Sequence, residues 1–236
     1  MEKKLDPIRL VQSAKEALDR RETIGIELEL KKLQECCHLE MDIQLKFELH
    51  WLIYRMLEFL KKETEALDEL ENMLKEDFDN FQKCLILKEI GLTYMRMKQQ
   101  ERGLEHLKRY YSEAENNSLY NIMADAALWL ARFFYAEKDY EQAMEYANQA
   151  IYASRKEHNL FSDAESQLIN GLIFYHKGEL NLALDILREA EETAIDANAL
   201  VLIQRIAISR CKIYVDKQDW ESVTLTINNL FKTIEP

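Results

Sequence analysis

The chain has 236 residues, with 43 acidic and 31 basic side chains, a formal net charge of −12, and only 5 Gly and 2 Pro to interrupt it. Ordinary chains carry roughly 7% Gly and 5% Pro, and sheet-based folds need turn residues about every ten positions, so this composition points to an all-α protein of long helices joined by short polar loops. A pI near 5.0 without a Lys/Arg cluster excludes nucleic acid and anionic membrane as partners, and no stretch approaches the roughly 20 apolar residues needed to cross a bilayer.

The start of the chain, Met1 to Asp6, lacks the make-up of a signal peptide. Four cysteines (Cys36, Cys37, Cys84, Cys211) show no CxxC spacing, which fits a reduced, cytoplasmic setting. Asp6-Pro7 opens a first helix, with Pro where its missing N–H costs nothing. Arg20 to Thr23 and Gly25 break the chain before a second helix running to about Glu40. Residues 1–42 carry no repeat signal, and two readings fit them: polar N-terminal capping helices, which the ends of helical arrays require, or a separate effector-binding bundle. The former is adopted as the expectation. A helix pair follows, with Trp51 to Leu60 in its first helix and Glu65-Ala66-Leu67 opening its second.

Beyond residue 84 the chain repeats. Gly91, Ala131, Gly171 and Cys211 recur at a constant step of forty, each followed three positions later by an aromatic: Tyr94, Phe134, Phe174 and Tyr214. Twelve positions after the small residue comes a second series, Gly103, Ala143, Ala183 and Val223; Leu107, Ala147, Leu187 and Ile227, then Tyr110, Ala150, Ala190 and Leu230, keep the same step. Small residues in two consecutive helices let their backbones approach closely, and the aromatic fills the space beside the crossing. Each repeat is thus expected to be an antiparallel helix pair. Glu137-Lys138-Asp139, His176-Lys177-Gly178 and Lys217-Gln218-Asp219 fall where the turns must lie. Asp139 and Asp219 are expected to cap second helices, and Ser162-Asp163-Ala164-Glu165 has the form of a capping box opening a first helix.

The pattern resembles the tetratricopeptide repeat (TPR). The fullest match is Leu130-Ala131-x-x-Phe134 with Asp139-Tyr140-Glu141-Gln142-Ala143-Met144 and Ala150; next is Gly171-x-x-Phe174 with Gly178-Glu179-Leu180, Ala183-Leu184 and Ala190. The period of 40 exceeds the usual 34 or so, lengthening each helix by about a turn, and the Pro that closes the usual repeat is absent. The resemblance implies a right-handed α-solenoid of antiparallel helix pairs, with capping helices at 1–42 and an array of about five pairs over 43–236, clearest at 84–231. A narrower likeness lies in Tyr94-Met95-x-Met97-Lys98-Gln99, Leu119-Tyr120-Asn121 and Lys138-Asp139-Tyr140-Glu141-Gln142-Ala143, which resemble the TPR regions of Rap-type peptide-sensing regulators of Gram-positive bacteria. That likeness implies a groove for a short signalling peptide that alters how an N-terminal region engages a response regulator or DNA. Residues 1–42, however, show no helix-turn-helix pattern and no basic recognition helix.

Motifs for chemistry are missing. There is no Gly-rich phosphate loop, no HExxH and no GxSxG. Cys36, Cys37 and His38 do not make a metal site, because adjacent cysteines point to different helix faces and no second ligand pair exists. No catalysis, cofactor or metal is expected; a phosphatase activity would need a catalytic amide, and nothing singles out Gln34 or Gln44. The TPR resemblance places the partner groove on the first helices of successive pairs. Carried over by position, its residues are Lys88, Leu92, Met95 and Arg96, then Leu128, Arg132, Tyr135 and Ala136, then Leu168, Leu172, Tyr175 and His176, then Ile208, Lys212, Val215 and Asp216. A carboxylate clamp for chaperone tails would need Asn where Leu92, Arg132, Leu172 and Lys212 stand. Asn170 could bond a peptide backbone or be a satisfied buried amide. The expected function is a non-catalytic, protein- or peptide-binding adaptor or regulatory scaffold. Its alternatives are a Rap-like regulator that inhibits a response regulator and a chaperone for a hydrophobic secreted segment. An uncapped apolar end on the last pair would favour a homodimer.

Overall fold

The computed structural model describes residues 6–37 and 39–234, with the backbone alone at Ile234. Among the described residues there are twelve helices and no strand. They are α1 (Pro7–Arg20), α2 (Thr23–Cys36), α3 (Ile43–Phe59), α4 (Glu63–Met73), α5 (Asn80–Arg96), α6 (Gln100–Asn116), α7 (Tyr120–Ala136), α8 (Tyr140–Lys156), α9 (Leu160–His176), α10 (Leu180–Asp196), α11 (Leu200–Asp216) and α12 (Trp220–Ile234). The fold is an all-α array of helix pairs. The pair α3/α4 starts three residues out of the later register, as the slipped sequence spacing implied.

From α5 to α11 all helices are equal in length and all turns between them span three residues, so one helix with its turn is the module and the sequence repeat is two modules. The turns explain how so few glycines suffice. A left-handed residue ends every module, at Lys98, Ser118, Lys138, His158, Gly178, Asn198 and Gln218. The next amide reaches back to a carbonyl in the last helical turn, as in Gln99 N–H to Tyr94 O at 2.9 Å, Asp139 to Phe134 at 2.9 Å, Glu179 to Phe174 at 3.0 Å and Asp219 to Tyr214 at 2.9 Å. These bonds satisfy carbonyls that the helix end leaves without partners. The aromatic of each repeat therefore closes its turn through its main chain while its ring packs beside the crossing. Six of the seven left-handed positions carry a side chain, at a cost of about 1–2 kcal/mol each.

Capping follows the sequence in part. Asp6 accepts from Ile8 N–H at 3.2 Å, Asp139 from Gln142 N–H at 3.1 Å and Asp219 from Ser222 N–H at 3.1 Å. The expected Ser162 cap is corrected: the cap of α9 lies three residues earlier, with Asn159 accepting from Ser162 N–H at 3.1 Å. Glu165 thereby lies in the second turn, where it meets arginines from two other helices. The second helix also stops at Cys36, short of the expected Glu40.

The chain forms two compact units that divide within α6, residues 1–110 and 111–236. In the first, Leu10, Val11 and Ala14 of α1 and Ile26, Leu30 and Leu33 of α2 share one core with α3, α4 and Ile86, Ile90 and Tyr94 of α5. The backbones of α5 and α6 approach closely where they cross: a Cβ on Gly103 would sit 2.9 Å from the Gly91 carbonyl oxygen. Tyr94 stacks on His106 beside the crossing, centroids 5.5 Å apart. In the second unit, α9 packs against both α7 and α11, and the second helices α8 and α10 each contact their own first helix and the next. Leu184 and Leu187 of α10 join Leu202, Ile203 and Ile206 of α11 in one cluster. Phe134 stacks on Tyr146, centroids 5.6 Å apart.

Two stability predictions follow from this packing. Gly178 has φ of +81° and open space around the position of a Cβ, so Gly178→Ala should cost about 1 kcal/mol from backbone strain alone, measured by urea unfolding. Ala143 is fully buried at a crossing whereas Ala136 is exposed. Ala143→Leu should therefore cost about 1–3 kcal/mol by overpacking and Ala136→Leu less than about 0.5 kcal/mol; equal melting shifts would contradict this register.

Candidate functional site

The α5 residues lie in the first unit. Lys88, Leu92 and Met95 are half-buried, and Met95 lies over Gly103. Arg96 is exposed but engaged, 3.2 Å from Glu58 and donating to Thr93 Oγ1 at 2.8 Å. The remaining groove residues lie in the second unit, on α7, α9 and α11. Two of them do not reach a surface: Leu128 is 3% exposed and Leu168 1%. The first helices here lie directly against one another, which encloses this slot on α7 and α9. Ile208, at the same slot of α11, is exposed. Arg132, Tyr135, Leu172, Tyr175, His176, Lys212, Val215 and Asp216 retain half-buried or exposed side chains, and Ala136 is exposed at the end of α7.

The electrostatic centre of this face is a residue that the positional carry-over did not include. Glu165, on the second turn of α9, is 1% exposed and receives Arg132 of α7 at 2.5 Å and Arg205 of α11 at 2.6 Å. Three successive first helices thus contribute one member each. Burial pushes the Glu165 carboxyl up, but the two guanidiniums outweigh it and hold the group below the usual carboxylate range. Arg132 also lies over the Trp129 ring, 5.0 Å from its centroid, an orientation that favours a cation on the π face. Both arginines stay partly exposed, so N–H groups not spent on Glu165 are available to a ligand.

A polar and aromatic ladder crosses the C-terminal ends of the same helices. Tyr135 Oη and His176 Nε2 are 3.0 Å apart, and Tyr140 stacks on the His176 ring at 5.4 Å. Tyr175 donates to Asp216 Oδ2 at 2.6 Å, and Lys212 Nζ lies 4.9 Å from the Tyr175 centroid. Burial raises the Tyr135 hydroxyl, and its bond to Asp216 raises that of Tyr175, so both remain protonated donors. On its side towards α8, α9 carries a further buried polar layer. Asp163 pairs with Arg155 at 2.8 Å and accepts from Gln167 at 3.0 Å, and Asn170 donates to Asn148 at 2.9 Å. Asn170 thus spends an amide N–H on α8, while its Oδ1 is buried without a hydrogen-bond partner.

In the first unit, burial pushes the Cys37 thiol up to about 11, which suppresses the thiolate. Among the described residues no group of three or more His, Cys, Asp or Glu is placed to hold a metal ion; His38 lies outside the described residues. Nor is any described helix long and apolar enough to cross a membrane.

Comparison with known proteins agrees with the geometry. No family model matches the chain, and no curated protein matches it in sequence. Solved structures do match in shape. A signal-transduction ATPase with numerous domains and a tetratricopeptide-repeat sensor, from Pyrococcus horikoshii, superposes with a TM-score of 0.80 at 17% identity, over 98% of this chain and 38% of that one. The fold is a TPR-like helical repeat. Aspartyl phosphate phosphatase F from Bacillus subtilis matches at TM-score 0.71 and 15% identity, over 94% of this chain and 68% of that protein. A Rap protein complexed with competence and sporulation factor matches at 0.67 and 16%, over 99% and 67%. Both the TPR-like and the Rap-like resemblances of the sequence thus reappear at the level of fold.

The ion triad sets a pH dependence with a definite sign. A carboxyl whose folded pKa is depressed contributes stability that is fully present above its unfolded value, about 4.3, and lost as pH falls through the lower folded value. Thermal melts from pH 7 to pH 3 should show Glu165→Gln destabilised near neutrality, with the difference from the native chain shrinking below about pH 4. A difference independent of pH would mean that the Glu165 charge contributes nothing to stability.

Proposed function

We propose that this TPR-like chain is a non-catalytic protein- or peptide-binding module, an adaptor or regulatory scaffold that works through the face of α7, α9 and α11. The observation that carries the reading is the buried Glu165 holding Arg132 and Arg205 in fixed positions across three consecutive first helices. Two oriented guanidiniums, the Tyr135 and Tyr175 hydroxyls and Lys212 make the face rich in donors. Leu172, Ile208 and Val215 supply apolar surface between them. Such a face suits the carbonyls and carboxylates of a peptide segment, and guanidiniums held in place lose little freedom when it binds. The charges and hydroxyls suit a chaperone of hydrophobic segments less well.

The Rap likeness favours a second, finer reading. Since a Rap protein complexed with competence and sporulation factor shares the fold over nearly all of this chain, the partner could be a short signalling peptide and the consequence inhibition of a response regulator. In that reading the first unit, α1 to α5 and the start of α6, is the part that engages the effector.

The test compares the native chain with an Arg132→Glu, Tyr135→Ala, Lys212→Glu variant, both with helical circular dichroism spectra and similar melting temperatures. Each is used to capture partners from the source organism's lysate and is then titrated calorimetrically with the captured protein or peptide. The reading expects a partner held by the native chain in a 1:1 complex and weakened at least about tenfold, or about 1.4 kcal/mol, in the variant. Equal affinity for both would contradict a working surface on these helices.

A further inference from the structure

The last described helix carries an apolar stripe that the earlier second helices bury. Trp220, Thr224, Ile227 and Phe231 are spaced four, three and four apart, which puts them on one face of α12. They occupy the slots that Leu180, Leu184, Leu187 and Glu191 of α10 fill one repeat earlier. On α10 this face lies under α11: Leu184 and Leu187 are buried with Ile203 and Ile206, and Glu191 is ion-paired to Arg210. On α12 the same face is open among the described residues. Trp220 is 63% exposed, Ile227 41% and Phe231 60%. The sequence change is also directional: the slot that is Glu191 on α10, paired with a cation, is an unpaired aromatic, Phe231, on α12. A face meant only for solvent would keep the acid and shed the Trp.

We infer that this face is where a second copy of the chain docks, α12 against α12 about a two-fold axis. The pattern is complementary to itself in the antiparallel sense. With the axis near residue 226, Trp220 of one copy faces Phe231 of the other, and Thr224 faces Ile227. At about 100° per residue Glu221 and Lys232 fall on the same flank of this stripe. Antiparallel pairing sets like flanks together, so Glu221 of one copy meets Lys232 of the other at both ends of the contact. A parallel pairing would put this flank of the two copies on opposite sides of the contact, and Glu221 of one copy would not reach Lys232 of the other. Charge thus selects the antiparallel dimer, as flanking charges do in paired helices, and a two-fold contact closes at two copies. Thr226, on the opposite side of α12, is buried in its own unit and keeps the stripe facing outward.

Sedimentation equilibrium of the full chain over a hundredfold range of concentration tests this, with circular dichroism to show that every variant is folded. The expected result is a monomer–dimer equilibrium. Phe231→Glu should leave only monomer, Glu221→Lys and Lys232→Glu should each weaken the dimer several-fold, and the two charge reversals together should restore it. A native chain that is monomeric throughout, including one that instead binds an added amphipathic helix, overturns the inference. So does a dimer indifferent to Phe231→Glu, growth beyond two copies, or charge reversals that fail to restore each other.

Discussion

Two helix backbones that cross at glycine leave no room between them, and the rest of the repeat is arranged around that fact. At the α5/α6 crossing a Cβ on Gly103 would meet the Gly91 carbonyl at 2.9 Å, and at the α9/α10 crossing a Cβ on Gly171 would meet Leu187 at 2.7 Å. In the first three repeats, though not in the fourth, where Cys211 goes with the exposed Ile227, the side chain sixteen positions on compensates in volume. Gly91 goes with Leu107 and Gly171 with Leu187, while Ala131 goes with Ala147. Close packing of interiors makes such pairs interdependent, so the pair of slots, more than either residue alone, fixes how far apart the helices of a repeat stand.

The turns then propagate this spacing. Because each turn has the same three-residue length and one left-handed position, every helix from α5 to α11 begins at the same interval after the one before it. Equivalent residues on neighbouring first helices therefore stand in equivalent places, and opposite charges at one slot can meet. Glu165 and Arg205 are such a pair, one full repeat apart in sequence and 2.6 Å apart in space. Regular spacing is what turns three ordinary amphipathic helices into a face with fixed cations, tyrosines and a lysine.

Much of the fold was legible in the chain because its determinants are local and repeated. Gly91 to Cys211 and Tyr94 to Tyr214 mark the pairs, and Asp6, Asp139 and Asp219 mark helix starts through one hydrogen bond each. Asn159 was missed as a cap because the Ser162…Glu165 spacing imitates a capping box, and only the tertiary pairing of Glu165 with two arginines reveals the other use of that acid. The groove was less legible. Leu128, Leu168 and Ile208 share a slot, yet two are enclosed by neighbouring first helices and one is exposed, a difference that depends on what packs alongside. Glu165 and Arg205 could have been noticed as opposite charges at one repeat position; the burial that gives the pair its significance is not written in spacing.

The account's central claim is that crossing residue and compensating residue act as one packing unit. A double-mutant cycle by equilibrium urea unfolding on Gly171→Ala and Leu187→Ala tests it most directly, since intrinsic helix propensities cancel in the cycle. The account predicts that the double variant, which recreates the Ala131/Ala147 pairing, is more stable than the sum of the single changes implies, by about 0.5–3 kcal/mol. Additivity within the error of measurement would contradict it.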